Sequence, residues 1–190
     1  DHGRVFFFCY TFFMNILRLS DRAFFLVLGV IYGAVLLWSG IHPHDRFTWF
    51  LEVAPSLIAL VILAATYKRF PFSRLVYVLF LIHSCILFVG GKYTYAENPL
   101  FEWIRMITHG ERNQYDKLGH FAQGFFPAFI MRELFVGLQV FAKKNWIPFF
   151  VITTTALVTV IYEFIEWWAA ILAGGSADAF LGTQGYVWDT

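Results

Sequence analysis

Charge is scarce in this chain. Asp, Glu, Lys and Arg make up 14% of its 190 residues, where a soluble domain carries about 25%. The shortage argues against an ordinary water-soluble surface, because a chain that is 59% hydrophobic has more apolar area than one core of this size can hide. Neither sign is in excess. Fourteen basic against thirteen acidic residues leave a net charge of +1, which removes the electrostatic case for nucleic acid as a partner. Cysteine is nearly absent. Cys9 and Cys85 both sit in apolar runs with no CxxC partner and no neighbouring His, and read as buried thiols rather than a disulfide or a zinc site. HExxH, GxSxG and the DxxxD lipid-phosphate pattern are all missing, so no familiar hydrolase signature names a reaction. No repeat, low-complexity tract or long linker divides the chain, and residues 1–190 read as a single membrane domain.

What the chain has in quantity is apolar runs of membrane length. Crossing a hydrocarbon core takes about 20 helical residues, and helix is the form expected, since an open strand would leave backbone groups unpaired in lipid. The runs fall at 22–41, 49–67, 72–91, 118–142 and 146–173. They predict an all-α polytopic transmembrane bundle with about five spans in this chain, and a sixth is expected beyond Thr190. Within residues 1–21, "VFFFCYTFFMNIL" is short for a span and reads as an interfacial segment. Residues 174–190 read as an extracytoplasmic tail whose Gly182 and Gly185 permit turns. Arg18, Arg22, Lys68, Arg69, Arg74, Lys143 and Lys144 flank the same ends of successive spans. By the positive-inside rule that face is cytoplasmic, and so is the N-terminus. Pro55 and Pro127 fall inside spans, where each is expected to kink its helix and open space for water.

The polar residues gather toward the other face. Span two begins near Glu52, span four begins near His120, and span five ends beyond Glu163 and Glu166. "HPHD" follows span one and offers His42 and His44 as further ligands or simply a hydrated helix end. Asp116 and His120 are i,i+4 with Gln123 continuing the row, provided the helix starts early, and Glu163 and Glu166 are i,i+3. Each set shares a helix face. Two Glu so close hold a shared proton, a cation or a basic partner. Arg132 and Glu133 lie either mid-membrane, where Arg132 neutralises a carboxylate, or at the inner interface.

Three readings follow. In the first, Asp116, His120, Glu163 and Glu166 hold a divalent metal, the donor types suiting zinc, iron or manganese. Glu166 and Asp189 would then do the catalytic work of a membrane enzyme on a lipid or envelope precursor, with Asp189 orienting water or substrate. In the second, His83 and Glu163 form a proton path through a carrier, intramembrane ionisable groups being functional candidates. In the third the polar layer is structural glue in an assembly partner. Trp167 and Trp168 read as an interfacial belt, and Thr183, Gln184 and Asp189 as a candidate lid.

The stretches "IHPHDRFTWFLEVAP", "GGKYTYAENP", "YDKLGHFAQGFFPA", "YEFIEWW" and "FLGTQGYVWDT" together resemble the YjdF family of bacterial inner-membrane proteins, from about residue 35 onward. The resemblance implies a six-helix fold, an inner-membrane location, and weight on His120, Glu163, Glu166 and Asp189. It implies no particular activity. Tyr186 stands where the family pattern has an Asp, and the first seventeen residues, "DHGRVFFFCYTFFMNIL", do not match it.

Overall fold

A computed structural model describes residues 19–173. Six α-helices follow in order: α1 (Asp21–Gly40), α2 (Arg46–Thr66), α3 (Arg74–Tyr93), α4 (Pro99–Thr108), α5 (Tyr115–Gly137) and α6 (Ile147–Ala173), the last entered through a short 3-10 turn at Lys144–Trp146. Among the described residues there is no strand. The N-terminal apolar run, Asp189 and the tail lie outside them. Among the described residues, four stretches are long and apolar enough to cross a membrane: α1, α2, α3 and Lys144–Ile171. The helix bundle expected from the sequence is therefore present. α5 has 23 residues, about 34 Å of helix, but it carries Asp116, Lys117, Arg132 and Glu133 and is not among those four. It runs from Tyr115 to Gly137 rather than over 118–142. The early start brings Asp116 onto the helix, and the early stop coincides with Gly137, where a methyl group would meet the Phe70 ring at 2.6 Å.

Local chemistry sets the helix ends. Ser20, Asp45, Ser73 and Asn98 each cap a helix N-terminus by accepting backbone amides. Asp45 is the tightest, 2.7 Å from the Thr48 nitrogen. That backbone hydrogen bond, the largest of several causes, holds its carboxyl below the ordinary 3.8. Lys92, at the end of α3, donates to the Trp38 and Ile41 carbonyls at the end of α1, where a cation suits the helix dipole. At the basic face, Arg74 donates to the Leu19 carbonyl and to Asp21. Glu133 accepts the backbone amide and the hydroxyl of Ser73. Glu133 thus ties α5 to the start of α3.

α3 is the hub, packing against α1, α2 and α5, while α6 packs chiefly on α5. Phe24, Leu28 and Tyr32 of α1 meet Val53 and Leu63 of α2 and Tyr77, Val78, Leu81 and Phe88 of α3 in one apolar cluster. A buried hydroxyl chain crosses it: Tyr32 to Ser56 at 3.0 Å, Ser56 to Ser84 at 2.8 Å, Ser84 to the Phe80 carbonyl at 2.8 Å. In a medium without water such bonds join helices, each worth about 0.6 kcal/mol and at most about 2.

The chain leaves α3 through Thr94, whose φ of 61° is strained for a β-branched residue. This delivers Tyr95 into a slot between two helices. A methyl at Gly90 of α3 would sit 2.8 Å from the Tyr95 ring, and one at Gly119 of α5 would sit 2.6 Å from it. Both positions need the missing side chain for the ring to enter. α4, which falls within what the sequence presents as a loop over 92–117, turns Leu100, Trp103, Met106 and Ile107 outward, each more than half exposed, with Glu102 and Arg105 paired on another face. That pattern fits a helix lying at a bilayer surface.

Two tests follow from this architecture. Gly119→Ala forces the wedged ring to move and is expected to cost about 1–3 kcal/mol, whereas Gly124→Ala, with nothing within 4 Å, is expected to be neutral or stabilising by up to about 1 kcal/mol. Thermal melts in mild detergent distinguish them, and equal losses would refute the wedge. The second concerns acid stability. A carboxyl whose folded-state pKa is depressed stabilises the protein fully above its unfolded value and loses that contribution as pH falls through the folded value. Asp45→Ala is expected to lower stability by about 0.5–2 kcal/mol at neutral pH. The difference from the parent should shrink once pH drops below 3.8; a pH-independent difference would count against the cap.

Candidate functional site

A cavity of about 270 Å³ opens among α2, α3, α5 and α6. The residues at its polar end come from four segments. α2 contributes Glu52 one and a half turns into the helix. The post-α3 turn contributes Tyr95, α5 contributes Asp116 and His120, and α6 contributes Glu163 and Glu166. Pro55 and Pro127 also line the space. Each lacks the amide that would close its own helical turn, so both expected helix irregularities border the cavity.

The centre of the polar end is His120. Its Nε2 lies 3.3 Å from Asp116 Oδ1, one turn back on α5, and its Nδ1 lies 3.3 Å from Glu163 Oε1 on α6. Asp116 is additionally held by Arg112 at 3.2 Å, with both side chains largely buried. The i,i+4 spacing seen in the sequence therefore does place Asp116 and His120 on one face, and Glu163 reaches that face from the neighbouring helix. Glu166 lines the same cavity a turn further along α6.

Glu52 is the most enclosed acid among the described residues, with 2% exposure. The Tyr95 hydroxyl donates to its Oε2 at 2.9 Å. Burial, and next the Glu52 charge, hold the Tyr95 phenol well above its ordinary value, so it acts as a hydrogen-bond donor at any physiological pH. His83 lies about 14 Å along α3 from Arg74. It also lines the cavity, its ring resting on Phe126 with centroids 5.4 Å apart. Below the polar end the walls turn apolar, with Phe80, Leu87, Phe126, Ile130 and Val158. Gln123 lines the space too, and its amide nitrogen finds no acceptor among the described residues.

The candidates divide as follows. Asp116, His120, Glu163, Glu166 and His83 all border one cavity. Among the described residues, however, no three His, Cys, Asp or Glu side chains come together in an arrangement that could hold a metal ion. His42 and His44 are not among the cavity's residues. His44 instead faces Glu97 at 3.1 Å, both largely exposed, and His42 adopts a φ of 50°. Trp167 and Trp168 are more than half exposed. Asp189, the remaining catalytic candidate, falls outside the described residues. The sequence puts Glu52 in the polar layer without giving it a role, and it gives no motif for Tyr95 or for Tyr162 of α6, which also lines the cavity. The Gly90–Gly91 pair just ahead of Tyr95 was the available signal, because paired glycines at a helix end announce a close approach.

With this geometry in place, comparison with known proteins gives three findings. The family model described as "Predicted membrane protein (DUF2238)" matches residues 24–190. The protein "Inner membrane protein YjdF" of Escherichia coli (strain K12) is 45% identical over 160 residues, covering 82% of this chain and 75% of that protein. No solved structure matches. The family match extends over all six helices but the first turn of α1, and by it the chain belongs to the DUF2238 family of predicted membrane proteins.

Proposed function

We propose that the cavity is the binding and proton-exchange site of a proton-coupled carrier for a small molecule, seated in a bacterial inner (plasma) membrane. The location is supported by the similarity to an inner membrane protein of Escherichia coli and by the four membrane-length helices. The basic residues gathered at the start of α1, between α2 and α3, and before α6 support a cytoplasmic N-terminus. The observation that carries the function is the His120 bridge, one imidazole facing Asp116 on its own helix and Glu163 on the next. An imidazole between two carboxylates can take a proton at one nitrogen and release one from the other. His83 and Glu163, which would form the proton path, border the same cavity.

A second reading keeps the divalent-metal enzyme, acting on a lipid or envelope precursor. It is favoured by one observation: Asp116, His120, Glu163 and Glu166 line a common space. On that reading these four side chains would have to draw closer than they stand, and the metal, once bound, would supply an activated water.

Two measurements separate the readings. In proteoliposomes carrying a trapped pH dye, an imposed gradient should drive proton entry, with or without a panel of small solutes. Glu163→Gln and His120→Ala should each bring the rate down to that of protein-free liposomes, while Gly124→Ala keeps the parent rate. Retained flux in Glu163→Gln would overturn the carrier reading. Elemental mass spectrometry on chelator-free protein addresses the alternative: about one metal per chain, absent from a folded His120→Ala/Glu163→Gln double variant, would favour the enzyme.

A further inference from the structure

We infer that the cavity takes an organic cation with an apolar body: a protonated amine or amidine at the acidic end and an aromatic or short aliphatic group toward the membrane midplane. The inference rests on the reading of the cavity as a binding site and names what it binds. Four carboxyl side chains line the polar end, and among the described residues no Lys or Arg lines any part of the cavity. Asp116 is paired with Arg112, and His120 lies between Asp116 and Glu163, which leaves Glu52 and Glu166 as the lining acids with no basic partner among the described residues. Glu52 points to a positively charged donor more directly. It is almost wholly buried and borders the cavity, and among the described residues Tyr95 is its one hydrogen-bond donor, reaching Oε2 only. The other oxygen accepts no hydrogen bond from the described residues and is not among the atoms sealed from the cavity, so a donor entering there can reach it. An ammonium or amidinium group supplies N–H donors and charge together.

The far end of the cavity selects for the rest of the ligand. From His120 to Ile130 the lining follows α5 for ten residues, about 15 Å of helix. Past the first turn and a half the walls are mainly apolar, with Phe80, Leu87, Phe126, Ile130 and Val158 beside His83. A bare ion would leave that arm empty, whereas an apolar group fills it and gains from leaving water. Tyr95, Tyr162 and Phe126 offer ring faces along the way, and such faces attract cations. A volume near 270 Å³ lies just below the usual range for ligand pockets, about 300–1,000 Å³, which limits the occupant to one small molecule.

The probe is phenethylammonium, tested against 2-phenylethanol, 3-phenylpropionate and methylammonium on the full chain in lipid nanodiscs by equilibrium calorimetry. These share the body without the charge, the body with the opposite charge, and the charge without the body. Saturable binding of phenethylammonium is expected, weaker by about tenfold or more for the alcohol and for methylammonium, and unmeasurable for the propionate. Glu52→Gln should weaken it by about tenfold or more. Glu166→Gln, on a different helix, is expected to do the same and guards against a fold-specific failure of the first variant; both are checked by thermal melting. Binding of the propionate or alcohol as tight as that of the amine, no saturable amine binding, or full binding in both folded variants would each overturn the inference. Because the assay has no gradient, it is independent of transport. Amine binding without any Glu163-dependent proton flux would sink the carrier and leave the cation site standing. Such flux with no amine binding would do the reverse.

Discussion

Glu52 is the one acid on α2, at 2% exposure, with a phenol aimed at one of its oxygens. Much of the surrounding structure can be understood as what it takes to keep that carboxyl there. Inside a bilayer a polar group finds its partners within the protein, because the solvent offers none. The partner here is Tyr95, which arrives only because α3 ends in glycines, because Thr94 accepts a left-handed backbone, and because α5 presents Gly119 to the other side of the ring. The phenol therefore ties α2 to α3 and α5 at one point. The carboxyl depends on the phenol, and the phenol depends on two absent side chains.

The same constraint explains why the bundle has two kinds of interior. Between α1, α2 and α3 the contacts are apolar, stitched by the Tyr32–Ser56–Ser84 hydroxyl chain. Between α2, α3, α5 and α6 there is a cavity with acids at one end and phenylalanines at the other. Ser56 and Ser84 belong to both, lining the cavity while closing the hydroxyl chain. Burying one neutral hydroxyl against another is cheap, whereas gathering carboxyl groups is not. The first arrangement needs no function to account for it. The second is the kind that persists where protons or cations are exchanged.

The parts of this that were legible in the sequence are those written in short-range periodicity. Runs of about twenty apolar residues located four membrane-length helices, and i,i+4 spacing put Asp116 beside His120 once the helix began at Tyr115. Depth alone puts Glu163 and Glu166 in one layer and His83 nearer the midplane, since 1.5 Å per residue ranks side chains along the membrane normal. Depth cannot say which faces turn toward one another, so the pairing of His120 with Glu163 was not readable. Nor was Tyr95, whose role depends on packing between residues as far apart as Glu52 and Gly119. α4 escaped notice for another reason: ten residues with Glu102 and Arg105 among them look like a polar connection until the turn of the helix sorts them by face.

The asymmetry of the packing bears on how such a site could work. α3 anchors α1, α2 and α5, but α6 rests chiefly on α5 and on the turn that introduces it. The cavity nevertheless has α6 as one wall and α2 and α3 as others. Among the described residues the His120–Glu163 contact is the ion pair that joins α5 to α6. On the carrier reading, this is where a proton has most mechanical consequence. Protonating Glu163 removes the charge that draws it to an imidazolium, and a cation bound among the acids competes with that imidazolium for the same carboxylates. Proton and ligand would act on one contact from opposite sides, and exchange of one for the other requires no second site to couple them.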